Sequence, residues 1–254
     1  MKSFKNIILA ASIAAMCLGV YGCQKNTTVD EVYIPDDNFK AALLKSTING
    51  NAVTKGESSD PAIDQNGDGH ISKEEAAAVV KINVENQGIK SFVGVECFVN
   101  VTEIDCAKND LENLDLTANA KLKVLVCSGN DLVSVDLSAN AALEELYCDD
   151  NEIRSLNLNA CAGLKILVCN DNKLTKLDIS ANAGIQELHC QGNMLLSLDA
   201  TKLSLNVQLV CGDQVDENGK PVTLSLILNL NFKTFWEALV KLFTQNVHVS
   251  VTYR

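Results

Sequence analysis

Apolar positions recur at a fixed interval through the middle of the chain. Between residues 101 and 211, cysteines stand at Cys106, Cys127, Cys148, Cys169, Cys190 and Cys211, each 21 residues after the one before. Around each cysteine runs the frame L-x-x-L-x-C-x-x-N-x-L-x-x-L-D-L-S-x-N. Leu122, Leu125, Cys127, Asn130, Leu132, Val135, Asp136, Leu137, Ser138 and Asn140 fill it most completely. A period in this range marks stacked structural repeats, each unable to bury its apolar face alone. In Val101–Cys106, Ile104 and Cys106 alternate with Glu103 and Asp105, so they share one face of a short strand. Leu125 with Cys127, Leu146 with Cys148, and Leu167 with Cys169 then face inward. Stacked copies pair as a parallel sheet about 4.8 Å apart. Leu137, Leu158 and Ile179 return inward on the opposite side.

The polar positions divide into two kinds. Asn109, Asn130, Asn151, Asn172 and Asn193 follow the strands, where their amides can satisfy backbone groups of neighbouring coils. Their role is structural. Cys161 replaces the asparagine found at Asn119, Asn140 and Asn182, and Gln214 stands where the next ladder asparagine belongs, marking the end of the solenoid. The outward strand positions are the place to seek a partner. One row reads Glu103, Val124, Glu145, Ile166, Glu187, Gln208; the other reads Asp105, Val126, Tyr147, Val168, His189, Val210. Val124, Val126, Tyr147, Ile166, Val168 and His189 form the candidate partner-binding patch. The plainer reading of these residues is strand propensity.

Upstream, Asp36 or Asp37 can cap a helix with Phe39, Leu43 and Leu44 on one side. Residues 46–63 read as a loop. Then Asp64-Gln65-Asn66-Gly67-Asp68-Gly69-His70-Ile71-Ser72-Lys73-Glu74-Glu75 matches the spacing of an EF-hand loop. Oxygens stand at positions 1, 3 and 5 (Asp64, Asn66, Asp68), and glycine at 6 allows the sharp turn. His70 offers its backbone carbonyl, Ser72 its hydroxyl or a water, and Glu75 two oxygens, a set suited to calcium. Ser72 and Glu75 also make a capping box for a helix over 73–80, which needs no metal. Residues 82–98 form an imperfect lead-in repeat of Ile82, Val84, Ile89, Phe92, Val95 and Phe98. Downstream, Asp216–Gly219 is a turn that favours a hairpin. A strand over 222–230 follows, then a helix carrying Phe232, Phe235, Trp236, Leu239, Val240 and Phe243, and a last strand through Val247–Tyr253.

Residues 1–22 read as an export signal: Lys2 and Lys5, then an apolar run from Ile7 to Val20, too short to span a bilayer. The run ends in Gly22-Cys23 and resembles a lipobox, which makes Cys23 the lipid-modified residue and residues 23–32 a polar tether. An exported chain with ten cysteines suggests disulfides. The ladder cysteines nevertheless occupy inward slots, where a free thiol packs as a small hydrophobe. Cys97 and Cys161 have no evident partner. A net charge of -11 disfavours nucleic acid. Three histidines in all, with no nucleophile or phosphate-loop signature, point away from catalysis, and no catalytic residue is assigned.

The repeats resemble bacterial leucine-rich repeats of about 21 residues, in the LxxLxCxxNxL form of exported Bacteroidetes-type proteins. Ile34–Phe39 and Asp64–Glu75 look like the segment that precedes such repeats, with a loop similar to a dockerin half-hand. The expected architecture is therefore an α/β-type leucine-rich repeat solenoid with a parallel sheet. It has a helical N-terminal cap over 33–81, repeats over 82–214, and a β-α-β C-terminal cap over 215–254. The resemblance implies a monomeric protein-binding lipoprotein of the outer membrane, on its periplasmic or outer face, with a structural calcium ion. A glycan-binding accessory lipoprotein is the alternative, although Tyr147 is the only aromatic the strands offer a sugar. Such folds serve many binding tasks, so the partner itself does not follow.

Overall fold

The computed structural model describes residues 30–50, 60–204, 207–228 and 249–253. Seven three-residue strands stack in parallel: β1 (Lys81–Asn83), β2 (Glu103–Asp105), β3 (Val124–Val126), β4 (Glu145–Tyr147), β5 (Ile166–Val168), β6 (Glu187–His189) and β8 (Gln208–Val210). From β2 onward the register advances by one 21-residue coil per strand, with Ile104 opposite Leu125, Leu146, Leu167, Leu188 and Leu209 in turn. The lead-in repeat joins the same sheet with one residue more, since Ile82 pairs with Ile104. The middle residues of β2 to β6 and all six ladder cysteines are buried. Leu137, Leu158 and Ile179 close the core from the other side, each 1% exposed.

The asparagines bind coil to coil. Asn130 Oδ1 accepts from Leu111 N of the preceding coil at 3.0 Å. Its Nδ2 donates to Cys106 O at 3.1 Å and Cys127 O at 3.0 Å. Asn109, Asn151, Asn172 and Asn193 repeat the arrangement. Gln214, expected to mark the end of the solenoid, serves as the last rung of the ladder: its Oε1 accepts from Leu195 N at 2.9 Å and its Nε2 donates to Cys190 O at 2.9 Å. One extra methylene leaves the terminal amide within reach of the same groups.

A second ladder runs along the opposite side. Asn119 donates to Val95 O and Phe98 O, Asn140 to Leu116 O and Asn119 O, and Asn182 to Leu158 O and Cys161 O. Cys161 occupies its missing rung, with Sγ 3.6 Å from Asn140 O and 3.9 Å from Leu137 O. Cys161 is therefore a ladder member rather than a stray cysteine. Cys97 is buried and disulfide-bonded.

The N-terminal cap is built on α1 (Asp37–Leu44), which Asp36 caps by accepting from Phe39 N at 2.9 Å. Phe39 stacks on Phe92 of the lead-in coil with ring centroids 4.4 Å apart. Ile48 O accepts from Val80 N and Lys81 N, and Asn49 bridges Lys81, so residues 48–49 cover the outer edge of β1. The tether expected over 23–32 ends earlier. Val32 is 3% exposed, Val32 N donates to Ile71 O, and Lys73 N donates to Asp30 O, so residues 30–32 are part of the cap. Gly94 is needed where this segment passes: its φ is +106°, and a Cβ there would lie 2.8 Å from Ile34 Cγ1 and 2.9 Å from Tyr33 O.

At the other end, β7 (Ser197–Asp199), β9 (Leu224–Leu228) and β10 (Val249–Tyr253) form a parallel sheet in the order β10-β9-β7. Leu198 pairs with Leu226 and Leu226 with Val251. β7 is the back segment of a repeat coil, two coils on from Leu156, which bridges Val135 in the same direction. The C-terminal strands thus extend the back of the solenoid instead of forming a separate unit beginning at 215. The turn at Asp216–Gly219 makes only a bridge between Val215 and Pro221, because β9 pairs with β7 and not back across the turn. The helix expected over 231–243 lies outside the described residues. No helix among the described residues is long and apolar enough to cross a membrane.

Candidate functional site: the outward sheet face and the acidic loop

Each strand from β2 to β6 has a buried middle residue flanked by two half-buried ones. This follows from the two-residue period of an extended backbone packed on one face only. The six candidate patch residues are therefore brought onto one surface. Val126, Tyr147, Val168 and His189 stand in register across four neighbouring strands, and Val124 and Ile166 flank Glu145. At β8 the protection falls, and Val210 is 38% exposed.

The polar members of the face pair along their own strands. The Tyr147 hydroxyl donates to Glu145 Oε2 at 3.1 Å. Burial and then this carboxylate push the Tyr147 phenol above its ordinary range, so it is a neutral donor at physiological pH. His189 Nε2 lies 3.2 Å from Glu187 Oε1 and 3.3 Å from Gln208 Nε2. Gln208, on the strand after β6, was not among the candidate residues; only the register that stacks Gln208 beside Glu187 places it there. At the rim, Glu144 lies between Lys123 and Lys165 and pairs with both.

Beneath this face the ladder thiols are inert. Burial pushes Cys127, Cys169 and Cys211 up to about 12, with Asp149 adding to the first two. Burial, followed by neighbouring thiols, holds Cys106, Cys148 and Cys190 well above the ordinary range. All six are free, as is Cys161.

The acidic loop precedes α2 (Lys73–Ala78), two residues shorter than the helix expected over 73–80. Ser72 and Glu75 form the complete capping box. Asp64 accepts from Gly67 N at 2.7 Å and Gly69 N at 3.0 Å. Asn66 Oδ1 accepts from Asp68 N at 2.9 Å, and Asp68 Oδ1 from His70 N at 2.8 Å. Glu75 Oε1 accepts from Gln65 N at 2.8 Å, and Oε2 from Ser72 N and Ser72 Oγ, both at 2.9 Å. Burial alone would raise the Glu75 carboxyl, but these hydrogen bonds outweigh it and hold it below the usual range. The His70 ring meets Glu31. Oxygens of Asp64, Asn66, Asp68, Ser72 and Glu75 with the His70 carbonyl have the hard chemistry calcium takes. Among the described residues, however, no group of three or more His, Cys, Asp or Glu side chains converges as a metal cage. The carboxylates accept from the loop's own N–H groups.

No protein-family model matches the chain, and no curated protein does. Internalin C2 from Listeria monocytogenes is similar in structure, with a TM-score of 0.51 at 17% identity, over 87% of this chain and 94% of that one. The chain has a leucine-rich repeat fold. At that identity the likeness is one of fold alone. The functional domain of InlJ from Listeria monocytogenes, which includes a cysteine ladder, aligns with a TM-score of 0.30 at 22% identity, over 72% of this chain and 55% of that one. The leucine-rich repeat domain of APL1B aligns with a TM-score of 0.47 at 16% identity, over 59% and 48%. This leucine-rich repeat chain thus spans about half the length of the InlJ and APL1B domains.

Proposed function

We propose that the chain is an exported, lipid-anchored binding module of the cell envelope that holds a protein partner on the outward face of its seven-stranded sheet. One observation carries this: Val124, Val126, Tyr147, Ile166, Val168 and His189 form one half-buried surface across four strands, interleaved with Glu145 and Glu187 and rimmed by Glu144, Lys123 and Lys165. An aromatic anchor among aliphatic neighbours with a polar rim is the composition of a protein-binding patch. The experiment is direct binding of residues 24–254 to immobilised extracellular proteins and to polysaccharides, with and without Tyr147→Ala. A protein partner lost with Tyr147→Ala supports the reading. Binding to polysaccharide alone would replace it with a glycan-binding one.

The leader over 1–22 and Gly22-Cys23 support export and acylation of Cys23, with the outer membrane as the site of anchorage. Metabolic labelling with a fatty-acid analogue, absent in Cys23→Ser, tests it. The acidic loop is proposed as a calcium site, with Asp64, Asn66, Asp68, Ser72, Glu75 and the His70 carbonyl as ligands that exchange internal hydrogen bonds for the ion. A metal that binds only the folded chain raises its melting temperature. The rise should vanish with chelator and in Asp64→Ala/Glu75→Ala; a melt indifferent to calcium would make the loop a capping turn only.

A further inference from the structure

The outward rows alternate with a period of two coils. Across β2 to β6 the first row runs Glu103, Val124, Glu145, Ile166, Glu187 in strict register. Strands repeat about every 4.8 Å, so successive glutamates stand roughly 9.6 Å apart, each pair straddling one aliphatic side chain. Two glutamates of the row lack a lysine or arginine partner. Glu145 accepts from the Tyr147 hydroxyl and feels Lys165 only at a distance, and Glu187 lies against His189; among the described residues no lysine or arginine forms an ion pair with either. Glu144, on the rim, already pairs with Lys123 and Lys165, and Glu103 with Lys81 at 2.7 Å. The protein thus pairs Glu103 and Glu144 with lysines and leaves Glu145 and Glu187 without one beside apolar surface.

Lysine and arginine match such a surface, since their stems cover apolar groups while their charged heads remain among carboxylates. One basic side chain can lie on Val124 between Glu103 and Glu145, and the next on Ile166 between Glu145 and Glu187. Their spacing sets the conformation of the partner. A polyproline-type segment repeats every three residues, about 9.3 Å. A helix returns after seven residues at roughly 10.5 Å and drifts out of step.

We propose that this face takes an extended, polyproline-type protein segment with a lysine or arginine at every third residue, laid across the strands along the solenoid axis. The inference rests on the reading of the face as protein-binding and specifies the partner's chemistry. Complementary charge then contributes both affinity and register.

The test is fluorescence anisotropy of two labelled peptides of equal composition: four Lys-Pro-Pro triplets, and a block of four lysines followed by eight prolines. The triplet peptide should bind the full folded protein, more tightly than the block peptide and more weakly as salt rises. Glu145→Gln/Glu187→Gln should weaken it at least about tenfold, close to 1.4 kcal/mol. Glu112→Gln/Glu217→Gln removes the same charge from exposed positions elsewhere and should leave binding unchanged. Equal binding of both peptides, equal loss in both double variants, or no binding of the triplet peptide to the wild type overturns the proposal. A Tyr147-dependent protein partner found alongside any of those results would leave the broader reading standing and sink this one alone.

Discussion

Asn130 Oδ1 and Leu111 N, 19 residues apart in sequence, meet at 3.0 Å across the boundary between two coils. The same side chain donates to Cys106 O and Cys127 O, so one amide satisfies three buried backbone groups. Asn130→Ala strands Leu111 N in the core, while Cys106 O still accepts from Asn109 Nδ2 at 2.9 Å and Cys127 O from Asn151 Nδ2 at 3.0 Å. A buried unsatisfied group costs about 1–3 kcal/mol, so a loss in that range is expected in urea unfolding. Asn130→Gln should be less damaging, since Gln214 already performs the task in the last rung.

Cys161 is the weak rung of the second ladder. Its thiol lies 3.6 and 3.9 Å from carbonyls that an amide would reach more closely, as Asn140 does at 3.0 and 3.1 Å. Cys161→Asn should therefore raise stability by about 1 kcal/mol. A higher melting temperature checks this. A lower one would mean that the coil has closed around sulfur.

The buried thiols give the fold an alkaline limit. In the unfolded chain they ionise near 9.0, whereas folding moves Cys127, Cys169 and Cys211 up to about 12. The folded state therefore holds protons that the unfolded state releases. Stability is full below pH 9 and falls as pH rises toward 12, by roughly 1.4 kcal/mol per pH unit for each thiol. Equilibrium unfolding at pH 8, 10 and 11 measures the slope. Replacement of Cys127 and Cys169 by alanine should flatten it, at the expense of overall stability from the cavities created. In the native protein at pH 8, none of the six should react with a thiol reagent on the timescale of exposed cysteine.

Asp36 does two jobs with two oxygens. Oδ1 caps α1 at Phe39 N, and Oδ2 accepts from Lys90 N at 2.8 Å and Ser91 N at 3.0 Å. Burial raises its carboxyl, but the combined hydrogen bonds prevail and lower it below 3.8. The stabilisation is present above that value and is lost as pH falls through the lower folded value. Asp36→Asn keeps one acceptor and should loosen either the helix or its docking, at about 1–2 kcal/mol. Hydrogen exchange at Lys90 and Ser91 distinguishes the two: faster exchange there with α1 unchanged identifies lost docking.

The repeat made much of this architecture readable from residues alone. A cysteine and an asparagine every 21 positions, with leucines at two-residue spacing around the strand, leave few ways to bury apolar groups and satisfy the adjoining backbone. Inward and outward residues of β2 to β6 follow from that pattern, as does the first asparagine ladder; upstream, the Asp36-Asp37 pair before Phe39 offers two caps, and Asp36 is the one used. The EF-hand spacing is equally legible, but spacing specifies which oxygens are available and not where they point. In the folded loop, Asp64, Asp68 and Glu75 turn to nearby N–H groups.

Other features depend on contacts between coils, which no single repeat encodes. Gln214 reads as a broken pattern, yet its longer side chain reaches the same three carbonyls and one N–H as its asparagine counterparts. Cys161 stands in the asparagine slot by sequence, but only stacking brings its thiol to Asn140 O. The alternating leucines of Leu224–Leu228 predict a strand but not its partner; the exposed back edge of β7 selects that partner, and so makes the sheet parallel. Local periodicity determined what each coil buries. Only stacking decided which side chains share a rung, what covers each end, and which charges on the outward face are left unpaired.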